Sequence, residues 1–241
     1  MSGDKAIEAI SIVKEEISRT LDFDGRAVLL FSGGRDSTAV AAAYCNAFPQ
    51  SRLHLLLIDN GLLSRLANTK RQVQLLRSLF PETEISFETK RVSQMMREAG
   101  MQQIERDFKE YKFSSLLICV SCKLIMNFSA IRFADELGIK LILDGFANRQ
   151  KDYPEQTDIF MEYIRNVYRK TGLVYLSPLY DFLADKKTVN IALSEMNVNI
   201  HKQEPYCMFA DAFSTANNEE ISKYIVKTVE IIRELDPVLH C

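Results

Sequence analysis

The sequence lacks the features that would place the protein in a membrane or in an oxidising compartment. No apolar run approaches the length needed to cross a bilayer, and residues 1–5 lead into a helical pattern without the apolar core of a signal peptide. The five cysteines are an odd number, which argues against a disulfide framework. We therefore expect a cytoplasmic protein whose thiols are available for metal binding or redox chemistry.

The chain also lacks an excess of charge of either sign. Its 30 Lys and Arg residues nearly balance 32 Asp and Glu residues, so the formal net charge is -2. This balance excludes a positive charge over the whole surface that would bind nucleic acid non-specifically. It is still compatible with a local groove of basic residues. There is no internal repeat and no low-complexity linker. We expect an α/β domain over residues 1–180 and a helical C-terminal part over residues 181–241, packed together as one unit.

Short apolar strands alternate with helices along the chain. Continuous apolar runs predict parallel strands buried on both faces, and helical spacing or alanine-rich sequence predicts the helices between them. The predicted strands are residues 27–31, 53–58, 85–88, 140–143 and 173–176, and the predicted helices are residues 7–17, 38–48, 64–79, 123–137, 153–170 and 218–235. Residues 92–118 are predicted to be largely helical, without defined helix boundaries. This order predicts an α/β fold with a doubly wound parallel sheet, whose ligands lie beyond the carboxyl ends of the strands.

A six-residue motif joins the first predicted strand to its helix. The motif consists of Ser32, Gly33, Gly34, Arg35, Asp36 and Ser37. Two glycines at a helix start let a phosphate approach the backbone N–H groups without a Cβ in the way. The serines add hydroxyl donors, Arg35 adds charge, and Asp36 would cap the turn or help to hold Mg²⁺. The motif predicts a phosphate-binding loop rather than a mere tight turn, and the absence of a Gly-Lys-Ser/Thr sequence excludes a Walker loop.

This motif resembles the Ser-Gly-Gly-x-Asp-Ser signature of the PP-loop ATP pyrophosphatases. That superfamily includes tRNA thiolases, tRNA lysidine synthetase, GMP and NAD synthetases, and the sulfur-inserting enzyme of nickel-pincer cofactor synthesis. The resemblance implies a Rossmann-like fold and cleavage of ATP between its α and β phosphates, with the loop holding the pyrophosphate. It also implies that Asp59, at the end of the second strand, contacts the adenosine.

Three cysteines form a second constellation. Cys119 and Cys122 lie three residues apart just before a predicted helix, and Cys207 follows a proline in a predicted loop. Three thiolates can hold three irons of a [4Fe–4S] cluster and leave the fourth iron open to a ligand such as sulfide. The same residues are compatible with a persulfide on one thiol, with a zinc site completed by His201, or with a dithiol that simply packs.

The cysteine pattern is similar to that of cluster-dependent tRNA thiolases, in which three cysteines bind a [4Fe–4S] cluster. Residues 119–145 and 202–207 also resemble segments of the nickel-pincer sulfur transferases, and the second segment corresponds to the loop with their sulfur-donating cysteine. The resemblance implies the metal ligands Cys119, Cys122 and Cys207, the catalytic residues Cys122, Cys207 and Asp36, and a nucleotide site that includes Gly145.

The chain departs from these families in two ways. An acidic pair often follows the position of Asp144-Gly145 in these families, whereas residues 146–150 here contain no acid, so that Asp152 is the candidate substitute for binding magnesium. The flanking zinc-binding modules of some tRNA thiolases are absent, which weakens the case for tRNA.

The remaining cysteines and histidines have simpler interpretations. Cys45 lies in an alanine-rich helix and is expected to be a core thiol, while Cys241 is terminal. His54, in an apolar strand, and His240 receive no catalytic role. The pair Lys186-Lys187 is predicted to be a solvated helix start that could also contact phosphate.

The expected activity is ATP-dependent adenylation of a substrate oxygen with release of pyrophosphate, followed by sulfur transfer from the three-cysteine site. Its cofactors would be ATP, Mg²⁺ and a [4Fe–4S] cluster, with Zn²⁺ as the alternative. The partners would be a sulfur donor and an acceptor, either tRNA or a small-molecule cofactor precursor. We expect no membrane association, and the sequence is compatible with a homo-oligomer. The competing hypotheses are a PP-loop ligase that uses an amine and a structural zinc, and a nucleotide-binding module without turnover.

Overall fold

A five-stranded parallel sheet forms the centre of the protein. The structure is a computed structural model, and it describes residues 14–19, 23–64, 66–111, 117–150, 152–181, 185–200, 206–207, 209 and 216–237. The strands are β1 (Arg26–Leu30), β2 (Arg52–Asp59), β3 (Leu63–Ser64), β4 (Glu84–Arg91), β5 (Leu141–Leu143), β6 (Val174–Leu176) and β7 (Tyr206–Cys207). The central sheet has the order β4-β2-β1-β5-β6, and β3 pairs with β7 in a separate two-stranded sheet. The order reverses beside β1, which places the strand before the predicted phosphate loop at the topological switch point.

Helices connect the strands. Residues 14–18 are helical, and the helices that follow in the described residues are α1 (Arg35–Ala47), α2 (Leu66–Leu79), α3 (Ser93–Ala99), α4 (Ile104–Glu110), α5 (Ile118–Leu137), α6 (Asp158–Lys170), α7 (Pro178–Asp181), α8 (Lys186–Glu195) and α9 (Asn218–Leu235). Short 3₁₀ turns occupy Met101–Gln103, Asn148–Gln150 and Pro154–Gln156. No helix in the described part of the chain is both long and apolar enough to cross a membrane.

The strands bury side chains on both faces, because each pleated strand points alternate residues to opposite sides of the sheet. Val28 and Leu30 of β1 pack in the core on one face, where α5, α6 and α9 lie, whereas Ala27 and Leu29 pack in the core on the other face, with α1 and α8. This arrangement confirms the predicted doubly wound α/β fold. Helices from both sides of residue 180 contribute to these cores, while the division at that residue stays a prediction.

Local sequence signals set several helix ends. Asn217 and Glu220 form a capping box, in which each side chain accepts a hydrogen bond from the other residue's backbone N–H, so α9 begins where its sequence predicts. Gly138 ends α5 with a φ of 63°, a left-handed conformation that favours glycine. Asp185 caps α8, which begins at the predicted helix start Lys186.

The structure corrects three local predictions. Helix α5 begins at Ile118 rather than at residue 123, so Cys119 and Cys122 lie inside its first turns. The Cys207 segment is a strand rather than a loop, because it pairs with β3. Ser64 belongs to β3 rather than to α2. Residues 92–118 are largely helical, as predicted, and contain α3, a 3₁₀ turn and α4, with residues 112–116 outside the described residues.

Candidate functional site

The predicted phosphate loop lies between β1 and α1. Ser32 Oγ accepts a hydrogen bond from Gly34 N at 3.1 Å and lies 3.1 Å from Ser37 Oγ, so the two serine hydroxyls close the turn. Thr69 of α2 donates to the Ser32 carbonyl at 2.8 Å and holds the turn from outside. No side chain of the described residues caps the α1 N-terminus at Gly34. The first N–H groups of a helix have no acceptor within it, so this end has the electrostatics of an anion site.

Two positions of the site require glycine, because another segment of the backbone lies so close that a Cβ atom would clash with it. Gly33 has a φ of 79°, and a Cβ there would lie 2.8 Å from Thr69 Cα. Gly145 has no such φ, but its Cβ would lie 2.6 Å from the Ser37 nitrogen. Gly145 therefore lets the chain that leaves β5 pack directly on the start of α1. The predicted nucleotide-site role of Gly145 stays a prediction, and the packing explains why glycine is needed there.

Asp36 is held by two arginines. Its Oδ1 atom accepts a hydrogen bond from Arg149 Nη2 at 2.5 Å and from Arg35 Nε at 3.2 Å. Arg149 comes from the 3₁₀ turn Asn148–Gln150, in the segment where the families that the motif resembles often have an acidic pair. In this chain, a guanidinium rather than a second carboxylate faces Asp36. The predicted role of Asp36 in catalysis or magnesium binding stays a prediction.

The turn after β2 connects the two predicted halves of the site. Asp59 Oδ1 accepts the Gly61 N–H at 2.9 Å and shapes the turn, as Asn60 Oδ1 does by accepting the Leu62 N–H at 2.8 Å. That second bond fixes the orientation of the Asn60 amide, so its nitrogen donates to Cys122 Sγ at 3.1 Å. The predicted adenosine residue Asp59 is thus followed by a residue that positions one of the predicted thiols. Sequence reasoning did not find this role of Asn60.

The segment after β5 is fixed by a buried carboxylate. Asp144 is 1% exposed and accepts hydrogen bonds from the Tyr175 hydroxyl, from Ser177 Oγ at 2.6 Å and from Phe146 N at 3.0 Å. Burial raises the pKa of Asp144, and these three donors oppose that rise. The network anchors the turn that contains Gly145.

The two-stranded sheet brings Cys207 to the site. Leu63 of β3, just beyond the Asn60 turn, pairs with Cys207 of β7. The Cys119 thiol donates to the carbonyl oxygen of Phe209 at 3.8 Å, so the same segment also contacts the first turn of α5. Two elements that are distant in sequence therefore converge on the carboxyl end of β2.

One cavity of about 360 Å³ contains residues from both halves of the site. From the phosphate loop it is lined by Ser32, Gly34, Arg35, Asp36 and Ser37, and from the cysteine constellation by Cys119, Cys122 and Cys207. Gly145 and Asn60 also line it, whereas Gly33 and Asp59 do not. A groove of about 440 Å³ beside β4 and α9 contains none of the predicted site residues. The structure therefore brings together the two halves that the sequence presents separately.

Lys123 and Glu155 line the same cavity. Burial is the main cause that raises the pKa of Cys119 and of Cys122; the charge of Glu155 raises both further, and that of Lys123 lowers both. The hydrogen bond from Asn60 also lowers the pKa of Cys122. The Lys123 ammonium lies 4.5 Å from the centre of the Phe146 ring. Glu155 was missed in the sequence, because its burial depends on tertiary packing.

No three His, Cys, Asp or Glu side chains of the described residues are arranged to hold a metal ion. His201, Cys241 and His240 lie outside those residues, as do the residues that flank β7 on its N-terminal side. Cys45 is 1% exposed and packs in the core, as predicted. The assignment of Cys119, Cys122 and Cys207 as ligands thus stays a prediction.

The chain has an α/β fold with a doubly wound parallel sheet, and the loop after β1 contains the motif that resembles the PP-loop signature. Its structure is similar to that of the U34-tRNA thiolase NcsA from Methanococcus maripaludis with its [4Fe-4S] cluster, with a TM-score of 0.50 over 97% of this chain and 80% of that chain. The two sequences are 16% identical over this alignment, so the likeness shows the fold. No family model and no curated protein matches the sequence.

Proposed function

We propose that the protein is an ATP-dependent thiolation enzyme that adenylates an oxygen of its acceptor and replaces that oxygen by sulfur. The observation that carries this proposal is the shared cavity, in which Ser37 of the phosphate loop and Cys122 of the thiol group both lie. A nucleotide module without turnover would not need thiols beside its phosphate site. The similarity of the fold to a tRNA thiolase supports the same reaction class.

The phosphate loop would act by electrostatic stabilisation. Its uncapped helix start and the Arg149 guanidinium beside Asp36 offer donors to the pyrophosphate that leaves when the acceptor oxygen attacks the α-phosphate. Asp36 is the candidate to help to hold Mg²⁺, with Asp152 as the further candidate. The acceptor oxygen alone is a poor leaving group. Once it is bonded to the α-phosphorus, it leaves the acceptor carbon as part of AMP when a sulfur nucleophile attacks that carbon.

The thiol side of the cavity would present the sulfur. Cys119, Cys122 and Cys207 are soft ligands of the type that holds iron–sulfur clusters, and they would hold a [4Fe–4S] cluster, which supplies an open iron for sulfide. Asn60 keeps Cys122 directed into the cavity, and β3 keeps Cys207 beside it. A sulfur donor would reload the site after each turnover.

We propose tRNA as the acceptor, on the basis of the fold's likeness to a tRNA thiolase. The nearly balanced charge of the chain is compatible with a local contact to RNA rather than with non-specific binding. A small-molecule cofactor precursor is the other outcome of the test below.

The test uses protein purified without oxygen, with iron, sulfide and zinc quantified. Pyrophosphate release from Mg-ATP is then measured with unfractionated tRNA and with the small-molecule fraction of a cell extract, and the tRNA nucleosides are examined for thiolation by mass spectrometry. We expect iron and sulfide in the protein, and release that depends on tRNA.

A matched pair of variants assigns the activity to the cavity. Cys122→Ala removes a thiol that lines the cavity, and Cys45→Ala removes a thiol in the core. We expect the first variant to lose thiolation and the second to keep it. Stoichiometric zinc without iron or persulfide would overturn the sulfur-transfer step, and the absence of pyrophosphate release with either fraction would overturn adenylation.

A further inference from the structure

Glu155 is a buried carboxyl group without a hydrogen-bond partner for one of its oxygens. It is 8% exposed, and its Oε2 atom is buried and contacts no donor among the described residues. Buried polar groups in folded proteins are almost always hydrogen-bonded, so an unpaired carboxyl oxygen calls for an explanation. Because Glu155 also lines the shared cavity, a bound molecule can supply the missing donor.

The backbone around Glu155 is firmly held. The neighbouring Gln156 accepts the Ala147 N–H at 3.2 Å through its side-chain oxygen, and Thr157 Oγ1 donates to the Pro154 carbonyl at 2.9 Å. Pro154 opens the 3₁₀ turn that contains Glu155. The turn is thus fixed on both sides, while Oε2 has no hydrogen-bond donor among the described residues.

The other charged groups of the cavity are already engaged. Asp36 accepts from two arginines, and Asp144 accepts from three donors. Lys123 is a cation and accepts no proton while charged. Among the described carboxyl groups that line the cavity, Glu155 alone has a buried oxygen without a donor. Burial raises the pKa of Glu155 and Lys123 opposes that rise, so the carboxylate is a stronger base than an exposed one.

We propose that Glu155 is the catalytic base of the adenylation step, an inference that rests on the proposed function. Its Oε2 atom accepts the proton from the N–H or O–H group beside the acceptor oxygen as that oxygen attacks the α-phosphate of ATP. The bond between the oxygen and the α-phosphorus forms, and the bond from that phosphorus to the bridging oxygen breaks, so its electron pair leaves on pyrophosphate. The proton moves to Glu155, and no oxidant or reductant takes part.

The test compares Glu155→Gln with Glu162→Gln, because Glu162 is exposed on the helix that follows. Pyrophosphate release is measured in a single turnover with saturating Mg-ATP and unfractionated tRNA. General-base catalysis contributes about 10²- to 10⁴-fold to a rate, so we expect Glu155→Gln to be slower by at least about 100-fold. ATP affinity in Glu155→Gln and the rate of Glu162→Gln should be unchanged. Formate should partly restore the rate of Glu155→Ala, which a structural role would not produce.

The outcomes separate this inference from the proposed function. If wild-type protein releases pyrophosphate only with the small-molecule fraction, tRNA is the wrong acceptor and Glu155→Gln is compared on that fraction. If wild-type protein releases no pyrophosphate with either fraction, both the proposed function and the role of Glu155 as catalytic base are overturned. Active wild-type protein with a Glu155→Gln variant of similar rate overturns the base alone. The melting temperature gives a second reading: we expect Glu155→Gln to melt no lower than wild type, and a clear fall would show that the carboxyl group has a partner in the fold.

Discussion

At the scale of single residues, the close contact at Gly145 offers the sharpest test of how the phosphate loop is built. A Cβ at Gly145 would overlap the Ser37 backbone, so we expect Gly145→Ala to lower the free energy of unfolding by about 1–3 kcal/mol. We also expect about tenfold weaker ATP binding, or about 1.4 kcal/mol, because the helix start is displaced. Chemical denaturation and ATP titration measure both.

The matched control is Gly138→Ala. Gly138 has a φ of 63° and open space around its missing Cβ, so the substitution should cost only the left-handed conformation, about 1–2 kcal/mol. It should leave ATP binding unchanged. Equal ATP affinity in the two variants would show that the contact between Gly145 and Ser37 does not shape the phosphate site.

Cys45 gives a prediction about pH. Burial raises the pKa of this thiol from its ordinary 9.0 to about 12, so only the unfolded chain ionises it between those values. The stabilising contribution of the neutral thiol is complete below pH 9 and is lost as pH rises toward 12, by about 1.4 kcal/mol per unit. Unfolding measured from pH 8 to 10 should therefore show a shallower loss of stability in Cys45→Ala. An identical pH dependence in both proteins would contradict the burial of this thiol.

At the scale of elements, the sequence predicts the strands and helices whose apolar residues follow a regular pattern. Continuous apolar runs identified the central strands β1 and β2, because a parallel strand buried on both faces needs apolar residues throughout. The start of α5 was missed because Cys119 and Cys122 were placed just before the helix, whereas Val120 and Ser121 between them are helical and fully buried.

The two-residue strands β3 and β7 were beyond prediction for a different reason. Two residues have no period, and their pairing joins positions about 140 apart in the chain, so only the tertiary fold creates it. The same holds for Asn60 and Glu155, whose roles depend on which neighbours they meet. The motifs thus revealed both halves of the candidate site, and the residues that connect them came from the structure.

At the scale of the whole molecule, the shared cavity predicts that ATP shields the thiols. In metal-free protein with Mg-ATP at about ten times its dissociation constant, only the free fraction can react, so alkylation of Cys122 and Cys207 should slow by about tenfold. Peptide mass spectrometry after timed exposure to iodoacetamide gives the rate at each thiol. At the same ATP concentration, alkylation in Gly145→Ala should slow by only about twofold, because tenfold weaker binding leaves about half of the protein free. Cys45 should stay unreactive at neutral pH with or without ATP. Full alkylation rates at Cys122 and Cys207 under saturating ATP would mean that nucleotide and thiols occupy separate spaces, and the proposed transfer from one to the other would then have no common site.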